Sequence, residues 1–356
     1  MTNAAQILDL QLPLPHTMMV RRLWLGGSSG LTRTYLNVFP SEEWILVGHQ
    51  PDAPSWMPET CEYKSLDLTQ RSTAEAFWKD MPETLETIVV GIRPPLVTPR
   101  TDDQAWDANR RILDGLRAFL DAAPRTMRVL HISSIAAIDH LQGQVQVNEE
   151  TPEVSLSDLK SPYDAFKREC EEIVEACSER HTSLRLGAIF SDDPGCIQCN
   201  ALALQAYVGV YLPTAIDCNS SYNVAQLIHS CLEQRTWKES IYYYTRPLRY
   251  GKETIPYGEY LVSYRKAYGI PRDGYVSLPM WFVDGLVALV HVLAGWFGLF
   301  LPYLAAVDYL LQVSTKEHSF DLSRCRRDFP KLKEESFDEC FARRRKNLEG
   351  PKSKTV

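Results

Sequence analysis

The sequence predicts an α/β fold, a doubly wound parallel sheet followed by a smaller, mostly helical C-terminal part. Three observations predict it. A glycine-rich turn follows the first apolar run directly, short apolar runs then alternate with helical stretches as far as Leu186, and the alternation weakens after Gly187.

The elements can be justified in order. Arg22-Leu23-Trp24-Leu25 reads as a strand and runs straight into Gly26-Gly27-Ser28-Ser29-Gly30. Residues 31–39 read as a helix and Trp44-Ile45-Leu46-Val47 as the next strand. Strand, turn, helix, strand is a crossover unit, and such units build parallel sheets. Helix 73–79 leads to strand Thr87-Ile88-Val89-Val90, helix 107–122 to Arg128-Val129-Leu130-His131-Ile132, and helix 163–177 to Ser183-Leu184-Arg185-Leu186. These runs are short and apolar, as strands are when helices cover both sheet faces. Beyond Gly187, loops with Pro and Gly, the aromatic run Tyr242-Tyr243-Tyr244 and a long apolar segment point to a smaller part that covers a substrate. Residues 1–190 are therefore expected to form the main domain, with 215–245 returning to its sheet. Residues 191–345 are expected to bind substrate, and 346–356 to form a polar tail.

Composition narrows the partners. The 356 residues are 45% hydrophobic and 23% charged, the balance of a globular protein with a sizeable core. A net charge of -7 without a basic stripe excludes nucleic acid from the expected partners. The basic run Arg343-Arg344-Arg345-Lys346 reads as a solvated tail helix. The nine cysteines show no framework spacing. Cys196 and Cys199 have CxxC spacing, but no second pair or nearby histidines complete a zinc site, and Cys196 does not read as opening a helix after a strand. Reduced thiols and no metal are the expectation.

Residues 285–307 contain no Asp, Glu, Lys or Arg, a run long enough to span a bilayer. Gly295, Gly298 and Pro302 interrupt it and His291 sits inside it, so it reads as one or two buried or membrane-surface helices. Arg21 and Arg22 follow the mild apolar stretch at the N-terminus rather than precede it, which is not the pattern of a signal peptide. A cytoplasmic protein with peripheral membrane contact through 285–307 is the resulting expectation.

Two constellations carry chemistry. Glycines after a first strand let the backbone approach a pyrophosphate at the N-terminus of the next helix. Here Gly27-Ser28-Ser29-Gly30 supplies two of them, and the position of the third is Arg33. The second strand ends in Gly48-His49-Gln50 without the acid that usually binds the ribose of NAD, which favours NADP, with Arg33 or His49 near its extra phosphate. Asp67 and Leu68 are placed to meet the adenine edge. The other constellation is Tyr163-x-x-x-Lys167 at the start of a helix, after Ser133 and Ser134 at the end of the preceding strand. Residues four apart share a helix face, and a nearby cation lowers a phenol toward working pH. A hydroxyl at that strand end, Ser134 before Ser133, would hold the substrate oxygen; helix or turn capping is the alternative role for both.

With these residues the chain resembles the extended short-chain dehydrogenase/reductase superfamily, whose members are built on a Rossmann sheet. The stretches that carry the resemblance are Gly27-Ser28-Ser29-Gly30, His131-Ile132-Ser133-Ser134-Ile135-Ala136-Ala137, Asn148-Glu149-Glu150-Thr151-Pro152, Ser161-Pro162-Tyr163-x-x-x-Lys167 and Leu184-Arg185-Leu186-Gly187-Ala188-Ile189-Phe190. Asn109 matches the family's structural asparagine. Ser277-Leu278-Pro279-Met280-Trp281 and the stretch from Ser319 to Phe329 are similar to the 3β-hydroxysteroid and sterol-4-carboxylate dehydrogenase branch. Leu186 stands where the family has proline, and the fourth strand ends in Gly91-Ile92-Arg93-Pro94-Pro95 rather than in a small-residue pair.

The resemblance implies Tyr163 as general acid/base, Lys167 on the nicotinamide ribose and lowering the tyrosine pKa, and Ser134 orienting the oxygen. It extends the candidate cofactor contacts from Gly27, Ser28, Ser29, Gly30, Arg33, Gln50, Asp67 and Leu68 to Leu31, Gly91, Gly187 and Ile189. The implied reaction moves a hydride between NADP or NAD and a lipophilic, sterol- or terpenoid-like alcohol or ketone. Other readings are a ketoreductase or epimerase on a polar metabolite, and a non-catalytic dinucleotide-binding protein. A homodimer is an expected assembly.

Overall fold

The computed structural model describes residues 21–82, 84–94, 102–138, 146–153, 155–159, 161–211, 217–250, 255–271 and 319–349, with residues 276–279, 281, 282, 285, 288, 289 and 292. The segment 285–307 and the residues beyond Glu349 lie almost wholly outside this set. No described helix is long and apolar enough to cross a membrane.

Seven strands form one sheet: β1 (Arg21–Leu25), β2 (Trp44–Gly48), β3 (Glu62–Ser65), β4 (Leu85–Val90), β5 (Arg128–Ser134), β6 (His181–Leu186) and β7 (Ile241–Tyr244). Their spatial order is β7-β6-β5-β4-β1-β2-β3, and every pairing is parallel. Chain direction across the sheet reverses between β1 and β4, and ligands of open α/β sheets bind at that crevice. The aromatic run Tyr242–Tyr244, read from sequence as part of a covering region, is buried in the edge strand β7.

Helices α1 (Gly30–Val38), α2 (Arg71–Ala76), α3 (Asp102–Asp121) and α4 (Pro162–Cys177) follow β1, β3, β4 and β5. Alternation along β1 sends Leu23 and Leu25 into the core shared with α3 and α4, and Trp24 into the core on the other face. There Trp24 packs 5.2 Å from Tyr35 and 5.3 Å from Trp44. Rings of this kind each bury about 200 Å², worth about 5 kcal/mol. They hold α1, and with it the turn before it.

Three elements depart from the sequence reading. Helix α5 (Ile197–Val208) has Cys196 as its N-cap and follows a short strand at Ala188–Phe190, so the CxxC pair does open a helix after a strand. The periodic signal was absent because apolar residues occupy several faces of the helix, with Leu204, Tyr207 and Val208 exposed. Helices α6 (Ser221–Glu233), α7 (Tyr257–Tyr268) and α8 (Ser323–Asp328) precede α9 (Phe337–Glu349), the last among the described residues. The basic run in α9 is not a solvated tail: Phe337, Cys340 and Phe341 enter a core with α5 and α7, and Arg344 is 4% exposed. Helix α3 also starts five residues before its predicted position, at Asp102 rather than 107.

Candidate active site

The α4 N-terminus is fixed from three sides. Pro162 occupies the first turn, where its missing N–H costs nothing, and the Ser161 hydroxyl accepts from the Tyr163 N–H at 3.3 Å. Buried Asn109 on α3 donates its amide to the Pro162 carbonyl at 2.8 Å. These bonds set Tyr163 at the carboxyl edge of the sheet beside Ser134, the last residue of β5.

Tyr163 is half-buried and hydrogen-bonded to Ser134. Burial pushes its phenol above the usual tyrosine range, while the bond from Ser134 and the charge of Arg93 pull it down. Sequence reasoning assigned that pull to Lys167. Instead the Lys167 ammonium, 5% exposed, donates to the Ile92 carbonyl at 2.9 Å and the Ile132 carbonyl at 3.1 Å. Those two carbonyls, at the ends of β4 and β5, draw the ammonium into the sheet edge. Burial lowers its pKa, with Arg93 acting in the same direction. Arg93 is exposed at this edge and gives the charge on the strand-four ending a place beside both groups.

Ser133 is engaged elsewhere. Its hydroxyl donates to Glu171 Oε1 at 2.5 Å, and Glu171 accepts from Arg185 at 3.0 and 2.6 Å. Arg185 also donates to the Tyr243 hydroxyl at 2.7 Å and pairs with Glu153. This buried chain ties β5, β6, β7 and α4 together and leaves Ser134 as the serine at the tyrosine. Glu171 was not singled out from sequence, although it lies four residues beyond Lys167 and shares its face.

The turn after β1 is held by Gly26 and Gly27, whose N–H groups donate to the Val47 carbonyl at 2.8 and 2.9 Å. Ser29 caps α1, accepting from the Thr32 N–H at 3.2 Å. Gly30 begins the helix, with Leu31 and Arg33 half-buried in its first turns. Gly91, after β4, donates to the Leu25 carbonyl at 2.8 Å and so borders the same turn. Ser28 Oγ lies 3.3 Å from where a methyl on Gly48 would sit. Farther along, the exposed Gln50 side chain contacts His49 at 2.8 Å, and the Tyr63 hydroxyl donates to the Gln50 carbonyl at 2.8 Å. Asp67 is exposed and accepts from the Thr69 N–H at 2.9 Å, whereas Leu68 is buried in the core shared with α3.

Gly187 directly follows β6. It is buried, and a methyl there would lie 2.6 Å from the Asp217 and Thr245 carbonyl oxygens, so close backbone packing explains the glycine. Ile189 is half-buried and pairs with Asn219.

No protein-family profile matches the chain, and no curated protein matches it by sequence. Solved structures do match. The Bordetella bronchiseptica enzyme WbmH, in complex with NAD+, superposes with a TM-score of 0.67 at 11% identity, covering 91% of this chain and 96% of that one. The terminal R domain from the myxalamid PKS-NRPS biosynthetic pathway gives 0.68 at 14% identity, covering 94% and 91%. The UDP-N-acetylglucosamine 4-epimerase from Bacillus cereus gives 0.58 at 12%, covering 93% and 100%. The likeness is one of fold. It extends over the C-terminal part as well as the sheet.

Proposed function

We propose that this protein is a nicotinamide-dinucleotide-dependent oxidoreductase that interconverts a secondary alcohol and a ketone on a lipophilic, sterol- or terpenoid-like substrate. The observation that carries the reading is Tyr163 hydrogen-bonded to Ser134, with the Lys167 ammonium one helical turn behind, at the same sheet edge as the capped glycine turn. A feature of the crevice fits a dinucleotide. Trp24 Nε1 is buried without a hydrogen-bond partner among the described residues, and it lies 2.8 Å from where a methyl on Gly91 would sit. That N–H faces the space left by a glycine, at the point where a pyrophosphate would cross from α1 toward β4.

The bound nicotinamide would supply the hydride chemistry. In the oxidation direction Tyr163 takes the proton of the substrate hydroxyl, and Ser134 holds the same oxygen. Lys167, fixed by two carbonyls, would donate to a ribose hydroxyl, and Arg93 would add positive charge at the mouth of the site. For the phosphorylated cofactor speak the β2 end, which lacks a carboxylate, and Arg33, which has no ion-pair partner among the described residues; the structure of WbmH holds NAD+. A lipophilic substrate is supported by the uncharged segment 285–307 and by the exposed apolar side chains of Trp281, Phe282, Leu289 and Val292. These side chains also favour contact with a membrane surface where such substrates dissolve.

Titration with NAD(H) and NADP(H), alongside turnover on sterol and terpenoid alcohols and ketones, tests this. Tyr163→Phe is expected to lower turnover by about 100-fold or more while leaving dinucleotide affinity unchanged. Absence of binding for both nucleotides at millimolar concentration would remove the reading. Arg93→Met is expected to move the pH dependence. The oxidation rate requires the deprotonated phenol and rises as pH passes its pKa; loss of the Arg93 charge raises that pKa, so the rise shifts to higher pH.

A further inference from the structure

The basic run of α9 is left unused by this mechanism. It faces Ser191-Asp192-Asp193, in the loop between the short strand at Ala188–Phe190 and α5. Two of its arginines grip three consecutive residues there. Arg344, 4% exposed, donates through Nη1 to the Ser191 carbonyl and, at 2.8 Å, to the Asp193 carbonyl. A guanidinium carries several donors in one plane, so a single side chain can hold two carbonyls. Arg343 pairs with the Asp192 carboxylate, and Asn347, one helical turn on, donates to the same carboxylate oxygen at 2.8 Å. Arg343 is itself held by Glu335 at 3.0 and 2.7 Å.

Both ends of the loop are fixed as well. Phe190 packs 5.1 Å from Phe341 and 6.2 Å from Phe337, both on α9. Cys196, the N-cap of α5, donates its N–H to the Asp193 carbonyl at 3.0 Å and its S–H to the Ile189 carbonyl at 3.5 Å.

The other side of the loop meets the glycine turn. Asp193 has its Cβ 3.0 Å and its Oδ2 3.2 Å from where a methyl on Gly30 would sit. Its Oδ1 accepts from the Gly195 N–H at 2.8 Å, which sets the direction of Oδ2. Gly30 is the first residue of α1, and a helix N-terminus attracts a carboxylate as it attracts a phosphate. A glycine in this turn leaves room for a pyrophosphate to come close to the backbone. At Gly30 that room is taken by an acidic side chain of the protein itself. Gly91 differs, because its neighbour is the Trp24 N–H, a donor that suits an anion rather than competing with one.

We propose that residues 191–195 form a strap over the phosphate turn, in which Asp193 occupies the approach to Gly30 in competition with the pyrophosphate of a dinucleotide. Arg343 and Arg344 are the positioning residues that hold the strap down. Only the population with the strap lifted admits the dinucleotide, so the apparent affinity is reduced by the size of that population. Loosening the grip of α9 enlarges it, and the dinucleotide then enters faster. The competition rests on the dinucleotide reading above.

The experiment measures association of NADH and NADPH by stopped-flow fluorescence with the full-length wild type, Asp193→Ala, Arg344→Met and the double variant. Each single variant is expected to raise the association rate constant by about five- to tenfold. The double variant should rise no further than Asp193→Ala, because Arg344 acts through Asp193. An arginine with a merely structural role would leave association unchanged or slower when replaced. An unchanged or slower rate in Asp193→Ala overturns the strap, and gains that multiply in the double variant overturn the role of Arg344. Should Arg344→Met fail to fold, Arg343→Gln, at the half-buried end of the grip, takes its place in the cycle. Hydrogen exchange is the second arm and needs no ligand. The Thr32 and Arg33 amides bond to the Ser29 hydroxyl and carbonyl at 3.2 and 3.0 Å. In Arg344→Met they are expected to exchange faster together with residues 193–196; faster exchange in the loop alone overturns the link to α1. If no form binds either dinucleotide at millimolar concentration, the functional reading fails and the competition with it, while the hold of α9 on the turn stands or falls on the exchange data.

Discussion

The turns that follow β1 and β6 begin alike and end differently. Each leaves a central strand through a glycine, Gly26 or Gly187, and each leads to a capped helix, α1 or α5. At α1 the cap is Ser29, whose oxygen accepts from the Thr32 N–H and closes the helix end. At α5 the cap is Cys196, which accepts no such bond and whose S–H donates to the Ile189 carbonyl instead. A hydroxyl satisfies the backbone and leaves a fixed, electropositive helix end; the thiol in the same position leaves the end of α5 without that bond. The two turns meet where Asp193 approaches Gly30.

The two glycines also differ in why they are needed. Gly26 has φ +87°, and a methyl on it would sit 2.6 Å from the Gly91 carbonyl oxygen, so alanine there brings both backbone strain and overlap. Gly26→Ala should cost about 3 kcal/mol of stability in urea unfolding, the largest effect in this comparison. Gly187→Ala meets only the overlap with Asp217 and Thr245 and should cost about 2 kcal/mol, with dinucleotide affinity retained. Equal losses in the two variants would erase the distinction between strain and overlap, and a selective loss of binding in Gly187→Ala would show that glycine to border the cofactor site. Asp193→Asn is the finest probe. Removing one negative charge from the α1 N-terminus should tighten dinucleotide binding by about two- to fivefold with little change in stability; weaker binding would mean that the carboxylate supports the turn rather than opposing the anion.

The sheet was legible because its strands are local signals. Five apolar runs were visible as strands, and each appears within a few residues of its expected bounds. Tyr163, Lys167, Ser134 and the Gly27–Gly30 turn were legible for the same reason, being short spacings on single elements. What was missed lies between elements. That Ser133 serves Glu171 while Ser134 serves Tyr163 depends on Arg185 and Tyr243, residues 14 and 58 positions away from their partners in the chain. Helix α5 and the buried role of Arg344 went unread because a helix apolar on several faces carries no clean period, and a basic run looks solvated until the loop carbonyls it serves are folded against it.

By itself the sequence determined five of the seven sheet strands and the helices that alternate with them, the parallel character of the sheet, and the residue types at the strand ends where chemistry is expected. Hydrophobic periodicity and turn chemistry act over a few residues, so they can be read from the chain alone. Only the tertiary structure decided that Lys167 rests on two strand-end carbonyls, that Arg93 is the cation acting on Tyr163, and that Asp193 approaches the turn at Gly30. Those outcomes depend on which groups, distant along the chain, come within hydrogen-bond or Coulomb range once water is excluded, and that is settled by packing rather than by any local pattern.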